Sequence, residues 1–277
     1  MPLTVSELAI YPLKSCKAVT LQSAKVNLSG LEFDRRYMLI DEQGMFVTAR
    51  NHPTLTLIEA NIAQDKLLVS HPDQAKGITL QPANFSCRYA DTEIWENKVQ
   101  GQLTEASVDT WFSELLQMSV RLVYFGEQSE RFTSRRPDRP VAFADGYPFL
   151  LTTQASLQEL NSSGPQTNEM ARFRPNIVIS GNQPFAEDSW KRIRIGGVIF
   201  ENVKPCERCI FTTLDPVTAE RSKKGEPLKT LAKFRLINGE GVTFGVNLIA
   251  ENEGCIQVGD TVEIIEYQEP HSYADKR

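Results

Sequence analysis

The feature that most constrains the fold is a series of short runs rich in Val, Ile, Thr and Leu within the first 105 residues. Residues 4–10, 55–60 and 66–70 are three of these runs, and turn-forming segments such as Ser29-Gly30 separate them. Such runs predict strands, and their close spacing favours an antiparallel barrel or sandwich over alternating strand–helix units. We therefore expect an N-terminal β-barrel-like domain.

The hydrophobic period changes after residue 105, and this change predicts a helix. Ser107 is placed to cap it, and its apolar residues recur at helical spacing: Val108, Trp111, Phe112, Leu115 and Leu116. A second short helix is expected over residues 153–161, with Thr153 as its cap. Gly196-Gly197 lies between two apolar runs and predicts a β-hairpin.

A polar, basic stretch over residues 126–140 is predicted to mark the boundary between two domains. Four arginines and one aspartate lie between positions 131 and 139, a pattern that fits either a solvated linker or an anion-facing loop. The expected domains are residues 1–125 and 126–267, followed by a polar tail, residues 268–277, that frays. The expected fold class is α+β and predominantly β, with two barrel-like domains and a few flanking helices.

Composition excludes several function classes. The net charge of −5 argues against general nucleic-acid binding, and three histidines leave little for a His-based triad or a His-rich metal site. Five cysteines in 277 residues are too sparse for a disulfide scaffold. Because no apolar run is long enough to span a bilayer and the N-terminus lacks a basic leader segment, we expect a cytoplasmic protein with no membrane association.

The most informative local motif is the pair Cys206 and Cys209, which encloses Glu207 and Arg208. Neighbouring cations stabilise thiolates, and thiolates are soft ligands for thiophilic metals. Spacing alone leaves four interpretations open: buried structural cysteines, half of a zinc site, a redox dithiol, or a thiolate that holds another cofactor.

Cationic and amide side chains occur at several predicted strand ends, and their meaning depends on whether they converge. The segments concerned are Lys14-Ser15, Asp34-Arg35-Arg36 and Arg172-Phe173-Arg174-Pro175-Asn176. Arginine can grip an anionic oxygen group through two parallel hydrogen bonds. A segment of this kind on its own is more often a surface salt bridge than part of a binding site.

The chain resembles MOSC-domain proteins preceded by an N-terminal MOSC β-barrel, a family that includes the mitochondrial amidoxime-reducing component. The matching motifs run in family order: Ile10 to Lys17, Asp34-Arg35-Arg36, Phe173 to Gly181, Glu187 to Trp190, Cys206 to Thr213, Gly225 to Leu231, Phe244 to Asn247 and Val258-Gly259-Asp260.

This resemblance implies a molybdenum cofactor, in which molybdenum is held by a pterin dithiolene and one protein thiolate. By position in the motif, Cys209 is implied as that thiolate and metal ligand. Lys14, Ser15, Arg35, Arg174 and Asn176 match positions that hold the cofactor's phosphate and pterin. Asp145 matches a position near the metal, where its carboxyl either relays a proton or caps a turn.

The implied activity is reduction of small N-hydroxylated compounds such as hydroxylamines and amidoximes. No cysteine follows Cys255, so an iron–sulfur domain like that of some bacterial relatives is not expected, and electrons should come from a separate flavoprotein or ferredoxin-like donor. Two alternatives are a sulfur-transfer or cofactor-handling protein with a cysteine persulfide, and a non-catalytic binding domain that keeps the fold.

Overall fold

The computed structural model describes residues 2–181, 183–237 and 241–277 and is built mainly from strands. In chain order these are β1 (Thr4–Ile10), β2 (Val19–Leu21), β3 (Ser23–Asn27), β4 (Gly30–Leu31), β5 (Tyr37–Ile40), β6 (Phe46–Val47), β7 (Glu59–Ala63), β8 (Lys66–Ser70), β9 (Ile78–Leu80), β10 (Tyr89–Ile94), β11 (Asn97–Leu103), β12 (Arg121–Tyr124), β13 (Phe149–Thr153), β14 (Ile177–Ser180), β15 (Trp190–Ile195), β16 (Val198–Glu207), β17 (Leu236–Ile237), β18 (Gly241–Ala250), β19 (Gly254–Gln257) and β20 (Val262–Tyr267). The helices are α1 (Ala106–Leu116), α2 (Gln154–Ser163) and α3 (Leu228–Leu231).

The largest sheet joins strands from both ends of the chain. Its order is β2-β1-β14-β13-β18-β16-β15-β20, with β17 paired to β18. Within the described residues the smaller sheets are β10-β11-β12-β5-β6, β19-β3-β4 and β7-β8-β9. Because β1 pairs antiparallel with β14, the N-terminal segment is built directly into the sheet that residues 149–267 form.

Alternating apolar side chains pack the large sheet into a dry core. On β1, Val5, Leu8 and Ile10 are at most 1 % exposed, and they join a cluster that includes Phe149 and Phe200. A second cluster lies under α1 and includes Trp111 and Phe112 from that helix. Burial of the apolar side chains in these two clusters is the main force that stabilises the packing of the sheets.

The α+β, mainly β fold class expected from the sequence is confirmed. The strands at residues 4–10 and 66–70 are confirmed as β1 and β8. The Gly196-Gly197 turn joins β15 to β16 with Ile195 opposite Val198, as predicted. Helix α2 begins after Thr153, whose hydroxyl accepts a hydrogen bond from the Ser156 amide, so that cap is also confirmed.

Two local predictions are wrong. Residues 55–60 do not form one strand, because Pro53 starts a 3₁₀ helix, Pro53–Leu57, which buries Leu55 before β7 begins. Helix α1 begins two residues earlier than expected, so its N-cap is Glu105 and Ser107 lies inside the helix.

Fraying of the tail, residues 268–277, stays a prediction. The tail forms no helix or strand, but the Tyr273 ring lies 3.9 Å from the Arg235 guanidinium, which also donates a 3.0 Å hydrogen bond to the Tyr273 hydroxyl.

Among the described residues, no helix is both long and apolar enough to cross a membrane.

Candidate functional site

Strand topology brings distant segments to one edge of the large sheet. The chain leaves β1 at the same edge where it enters β14, because the two strands are antiparallel with Leu8 opposite Ile177. Lys14 and Ser15 follow β1, and Arg174 and Asn176 precede β14, so these segments meet there. Strand β18 lies between β13 and β16, and its Asn247 pairs with Leu150 of β13 and with Lys204 of β16, so these two residues lie level with each other near this edge.

A cavity of about 270 Å³ opens at this edge, and all seven site residues expected from the sequence line it. They are Lys14, Ser15, Arg35, Asp145, Arg174, Asn176 and Cys209. The remaining lining residues are Thr48, Arg50, Ala144, Gly146, Tyr147, Leu150, Phe173, Lys204, Cys206, Glu207, Arg208, Phe211 and Asn247. The cationic and amide side chains therefore converge on one cavity, a question that the sequence alone left open.

Lys14 and Asp145 form an ion pair in the cavity wall. The Lys14 ammonium donates hydrogen bonds to Oδ1 of Asp145 at 2.5 Å and to the Phe143 carbonyl at 2.9 Å. Its side chain is 6 % exposed and that of Asp145 is 59 % exposed, so the carboxylate is the accessible end of the pair. Burial lowers the pKa of Lys14 to about 8, although Asp145 opposes that shift.

Asp145 stays ionised because cations surround it. The surrounding cavity wall partly desolvates this accessible carboxyl and would by itself raise its pKa, but the Lys14 ammonium and its hydrogen bond, together with Arg50, hold that pKa well below the usual range. The Arg50 guanidinium lies 3.4 Å from Oδ2 of Asp145 and stacks 4.3 Å from the Trp95 ring. The cavity therefore presents a fixed carboxylate between two cations.

Arg131 holds the loop that carries Asp145. Its buried guanidinium donates hydrogen bonds to the carbonyls of Ala142 at 3.0 Å, of Ala144, and of Asp145 at 2.7 Å. Burial lowers the pKa of Arg131 to about 10, and Asp145 opposes that shift. This arginine of the basic stretch thus anchors a loop inside the protein and does not belong to a solvated linker.

Arg35 is fixed by its neighbour Asp34 and by the segment that precedes β14. Its guanidinium donates to both carboxylate oxygens of Asp34, at 2.9 and 2.7 Å, and to the side-chain oxygen of Asn176 at 3.2 Å. The Asn176 amide group donates in turn to the Ala9 carbonyl at 3.1 Å. Arg35 and Asn176 therefore use these hydrogen bonds to join the segments after β1 and before β14, with Asn176 also bound to β1.

Tyr11 lies between two guanidinium groups. Its ring centroid is 4.3 Å from the Arg35 guanidinium carbon and 4.0 Å from that of Arg174. The Tyr11 hydroxyl donates to the Pro175 carbonyl at 3.2 Å. Burial and the nearby charge of Arg35 lower the pKa of Arg174. An aromatic ring between two like charges offsets part of their repulsion and fixes both side chains.

Ser15, Arg35 and Arg174 all adopt left-handed backbone conformations, with φ of 82°, 46° and 56°. Residues other than glycine adopt such angles at a cost of roughly 1–3 kcal/mol each, and proteins tend to keep this strain where it serves a site. The Ser15 hydroxyl accepts a 3.1 Å hydrogen bond from the Ala49 amide, which ties its loop to the strand-end segment after β6.

Cys209 is exposed and ends the loop after β16, at the start of the 3₁₀ helix Ile210–Thr213. Cys206 is half-buried on β16, and its sulfur accepts a 2.9 Å hydrogen bond from Arg208. Lys204 is paired with Glu207 at 2.6 Å. Arg208 and Lys204, the cations of the motif, therefore interact with Cys206 and Glu207, and the Cys209 sulfur stays open to the cavity. Among the described residues, no group of three or more His, Cys, Asp or Glu side chains is arranged to hold a metal ion.

Sequence reasoning missed Tyr11, Arg50 and Arg131 as parts of this site. Tyr11 and Arg50 lie in the N-terminal half, and each contacts a residue more than ninety positions away. The local signal for Tyr11 was its place just before Pro12-Leu13-Lys14, and Arg50 offered only a lone arginine in a turn. The roles of Tyr11 and Arg50 both depend on contacts with residues far away in the chain, and the spacing of residues within a motif does not reveal such contacts.

Comparison with known proteins matches both halves of the chain to described domains. Residues 2–119 match the MOSC N-terminal beta barrel domain, and residues 138–263 match the MOSC domain. The mitochondrial amidoxime-reducing component 1 of Mus musculus is 38 % identical and covers 95 % of this chain and 82 % of its own length. The Homo sapiens protein of that name is 37 % identical over 95 % of this chain and 83 % of its own. Mitochondrial amidoxime reducing component 2 of Bos taurus is 34 % identical over 94 % of this chain and 82 % of its own.

Proposed function

Because this chain belongs to the family of MOSC-domain proteins with an N-terminal MOSC β-barrel, we propose that it is a molybdenum-cofactor-dependent reductase of N-hydroxylated compounds. The observation that carries the proposal is the exposed Cys209 thiol on the same cavity as Lys14, Arg35 and Arg174. The names of the relatives, which specify amidoxime reduction, favour this function over sulfur transfer.

The donor set of the cavity fits the molybdenum cofactor. A soft thiolate suits molybdenum, whereas the cofactor's phosphate needs cations and hydroxyl donors. Cys209 would supply the sulfur ligand to the metal, and Lys14, Ser15 and Arg174 would hold the anionic and pterin groups. Arg35 and Asn176, whose hydrogen bonds are spent on protein partners, would shape the floor on which these groups rest.

The overall reaction takes up two electrons and two protons. The N–O bond of the substrate breaks, the nitrogen becomes an amine or amidine, and the hydroxyl oxygen leaves as water. When bound, the molybdenum cofactor supplies the two-electron redox chemistry, while the protein positions the reactants and sets the local charge.

We assign proton handling to Asp145 and Lys14. The Asp145 carboxylate is ionised at neutral pH and accessible, so it enters the reaction as an acceptor of a hydrogen bond or of a proton in transit. The Lys14 ammonium, with a pKa of about 8, keeps that carboxylate charged and adds a positive group to the cavity. The cationic groups therefore favour the anionic cofactor, and the carboxylate faces the substrate.

The electrons come from a separate protein, for which a flavoprotein or a ferredoxin-like carrier is our candidate. A cytoplasmic location stays a prediction, and the relatives named above are described as mitochondrial.

The test is reduction of an aromatic amidoxime by the purified protein with reduced methyl viologen as electron source. We expect one amidine for every two electrons consumed, loss of turnover in Cys209→Ala, and unchanged turnover in Cys87→Ala, which alters another exposed cysteine that does not line the cavity. Wild-type turnover in Cys209→Ala would overturn the proposal.

A further inference from the structure

The turn that carries Cys209 separates the cavity from a second groove. Cys209 and Phe211 line the first cavity, whereas Thr213, at the other end of the same turn, lines a groove of about 430 Å³. Most of the groove wall comes from the loop that returns after this turn: Asp215, Thr218, Glu220, Arg221, Ser222, Lys223 and Lys224. The groove thus begins at the far end of the turn that carries the thiol.

Arg221 joins the groove wall to the site. Its guanidinium donates to the Ile210 carbonyl at 3.3 Å and to the Arg50 carbonyl at 2.8 Å. Ile210 is the residue next to Cys209, and Arg50 contacts Asp145. Arg221 therefore connects the groove to two segments that line the cavity, those of Cys209 and of Arg50.

The groove is lined by four cations, Arg172, Arg221, Lys223 and Lys224, and by two carboxylates, Asp215 and Glu220, so it has an excess of two positive charges in a protein of net charge −5. Arg172 is paired with Asp215 at 2.7 Å. Lys223 and Lys224 are exposed, and neither forms an ion pair within the part of the chain that the structure describes. A local positive field on an acidic protein attracts a partner of opposite charge and orients its approach.

Exposed apolar side chains adjoin this basic wall. Ile210 is 50 % exposed next to Cys209, and Val217 is 67 % exposed at the tip of the returning loop. A small apolar centre beside charged residues is typical of transient protein interfaces, and electron-transfer complexes are among the smallest of these.

We propose that this groove docks an acidic electron-transfer protein, which delivers electrons to the cavity across the Cys209 turn. The inference rests on the proposed function, which requires an external electron donor. Two one-electron carriers, each oxidised by one electron, would balance each N–O bond that is reduced. Lys223 and Lys224 supply the pairing charges, and Ile210 and Val217 supply the apolar contact.

The experiment titrates the holoenzyme with an acidic [2Fe–2S] ferredoxin in its oxidised form, so that binding is measured without turnover. For the wild type we expect binding that weakens as ionic strength rises. Lys223→Glu/Lys224→Glu should weaken binding roughly 10- to 100-fold at low salt and flatten the salt dependence. The matched control, Lys66→Glu/Lys76→Glu, changes two exposed lysines outside the groove by the same charge and should bind like the wild type.

Equal binding by the two double variants, or no salt-sensitive binding by the wild type, would overturn the docking surface. In parallel with the binding titration, the reduction of an amidoxime by the wild type is measured with reduced methyl viologen as the electron source. If that reduction proceeds while docking fails, only this inference falls. If docking follows the lysines but the amidoxime is not reduced, the docking surface stands and the proposed function falls.

Discussion

The Lys14 ammonium meets the Asp145 carboxylate at 2.5 Å, although 131 positions separate the two residues in the chain. This pair joins the segment after β1 to the loop before β13. It sets the charge of the cavity, because the buried lysine and the accessible carboxylate each fix the protonation state of the other.

Replacing Lys14 by Met should lower cofactor occupancy while the fold is kept. A hydrogen bond to a charged group contributes about 1.5–3 kcal/mol, so we expect a roughly 10- to 100-fold loss of cofactor affinity. The measurement is pterin and molybdenum content after purification under matched conditions. The control is Lys66→Met, at an exposed position outside the cavity, and loading of Lys14→Met equal to that control would contradict the role.

Cofactor affinity should fall as pH rises through about 8, where the Lys14 ammonium loses its proton. The folded pKa is depressed, so between this pKa and the ordinary value of 10.5 the unfolded chain binds more protons than the folded chain. The free energy of unfolding contributed by this group therefore rises with pH in that window, opposite to the trend in affinity. Urea titrations of wild type and Lys14→Met across the window measure the difference, and a falling difference would contradict the assignment.

We expect Glu187, which lies away from the cavity, to cause a second pH dependence of the free energy of unfolding. This carboxyl is fully buried, and burial, with Asp188 next to it, raises its pKa to about 7. A raised folded pKa stabilises the fold at low pH, and that stabilisation is lost as pH rises from the ordinary value of 4.5 through about 7. Glu187→Gln, which keeps the shape and an acceptor for the Ser156 hydroxyl, should remove this slope. Parallel slopes for wild type and variant in chemical denaturation from pH 5 to 8 would refute it.

Tyr11→Leu should loosen both guanidinium groups that flank the ring. Each partly desolvated cation–π contact contributes about 1–2 kcal/mol, so we expect lower stability together with lower cofactor loading. Tyr11→Phe keeps the ring and loses only the hydrogen bond to the Pro175 carbonyl, so it should load the cofactor like wild type. If both variants loaded equally, the ring would have no positioning role.

Local patterns predicted the elements that depend on neighbouring residues. The Thr153 cap and the Gly196-Gly197 turn follow from side-chain and backbone chemistry within a few positions, and both are present. The error at residues 55–60 arose because β-branched and aliphatic residues suit either a strand or a buried 3₁₀ turn, and Pro53 decided between them. Composition also did not reveal the contact of Tyr273, in the tail, with Arg235.

The site was predicted residue by residue only through family resemblance, and the structure adds how those residues meet. Seven expected residues line one cavity, but their supports come from contacts outside the predicted motifs: Tyr11 contacts Arg174, and Arg131 binds the loop that carries Asp145. Arg131 illustrates the limit of prediction from the sequence. Its charge placed it in a polar, basic stretch, whereas its side chain is buried and donates hydrogen bonds to three carbonyl groups. Whether an arginine is solvated or buried depends on tertiary neighbours that its own segment does not specify.

The most direct test of the central claim is molybdenum X-ray absorption on purified wild type, Cys209→Ser and Cys206→Ser. If the Cys209 sulfur bonds to molybdenum, Cys209→Ser should show one sulfur neighbour fewer than wild type, while Cys206→Ser keeps the wild-type coordination. Sulfur coordination unchanged in Cys209→Ser, or wild-type protein purified from molybdate-supplied cells without molybdenum, would contradict the claim.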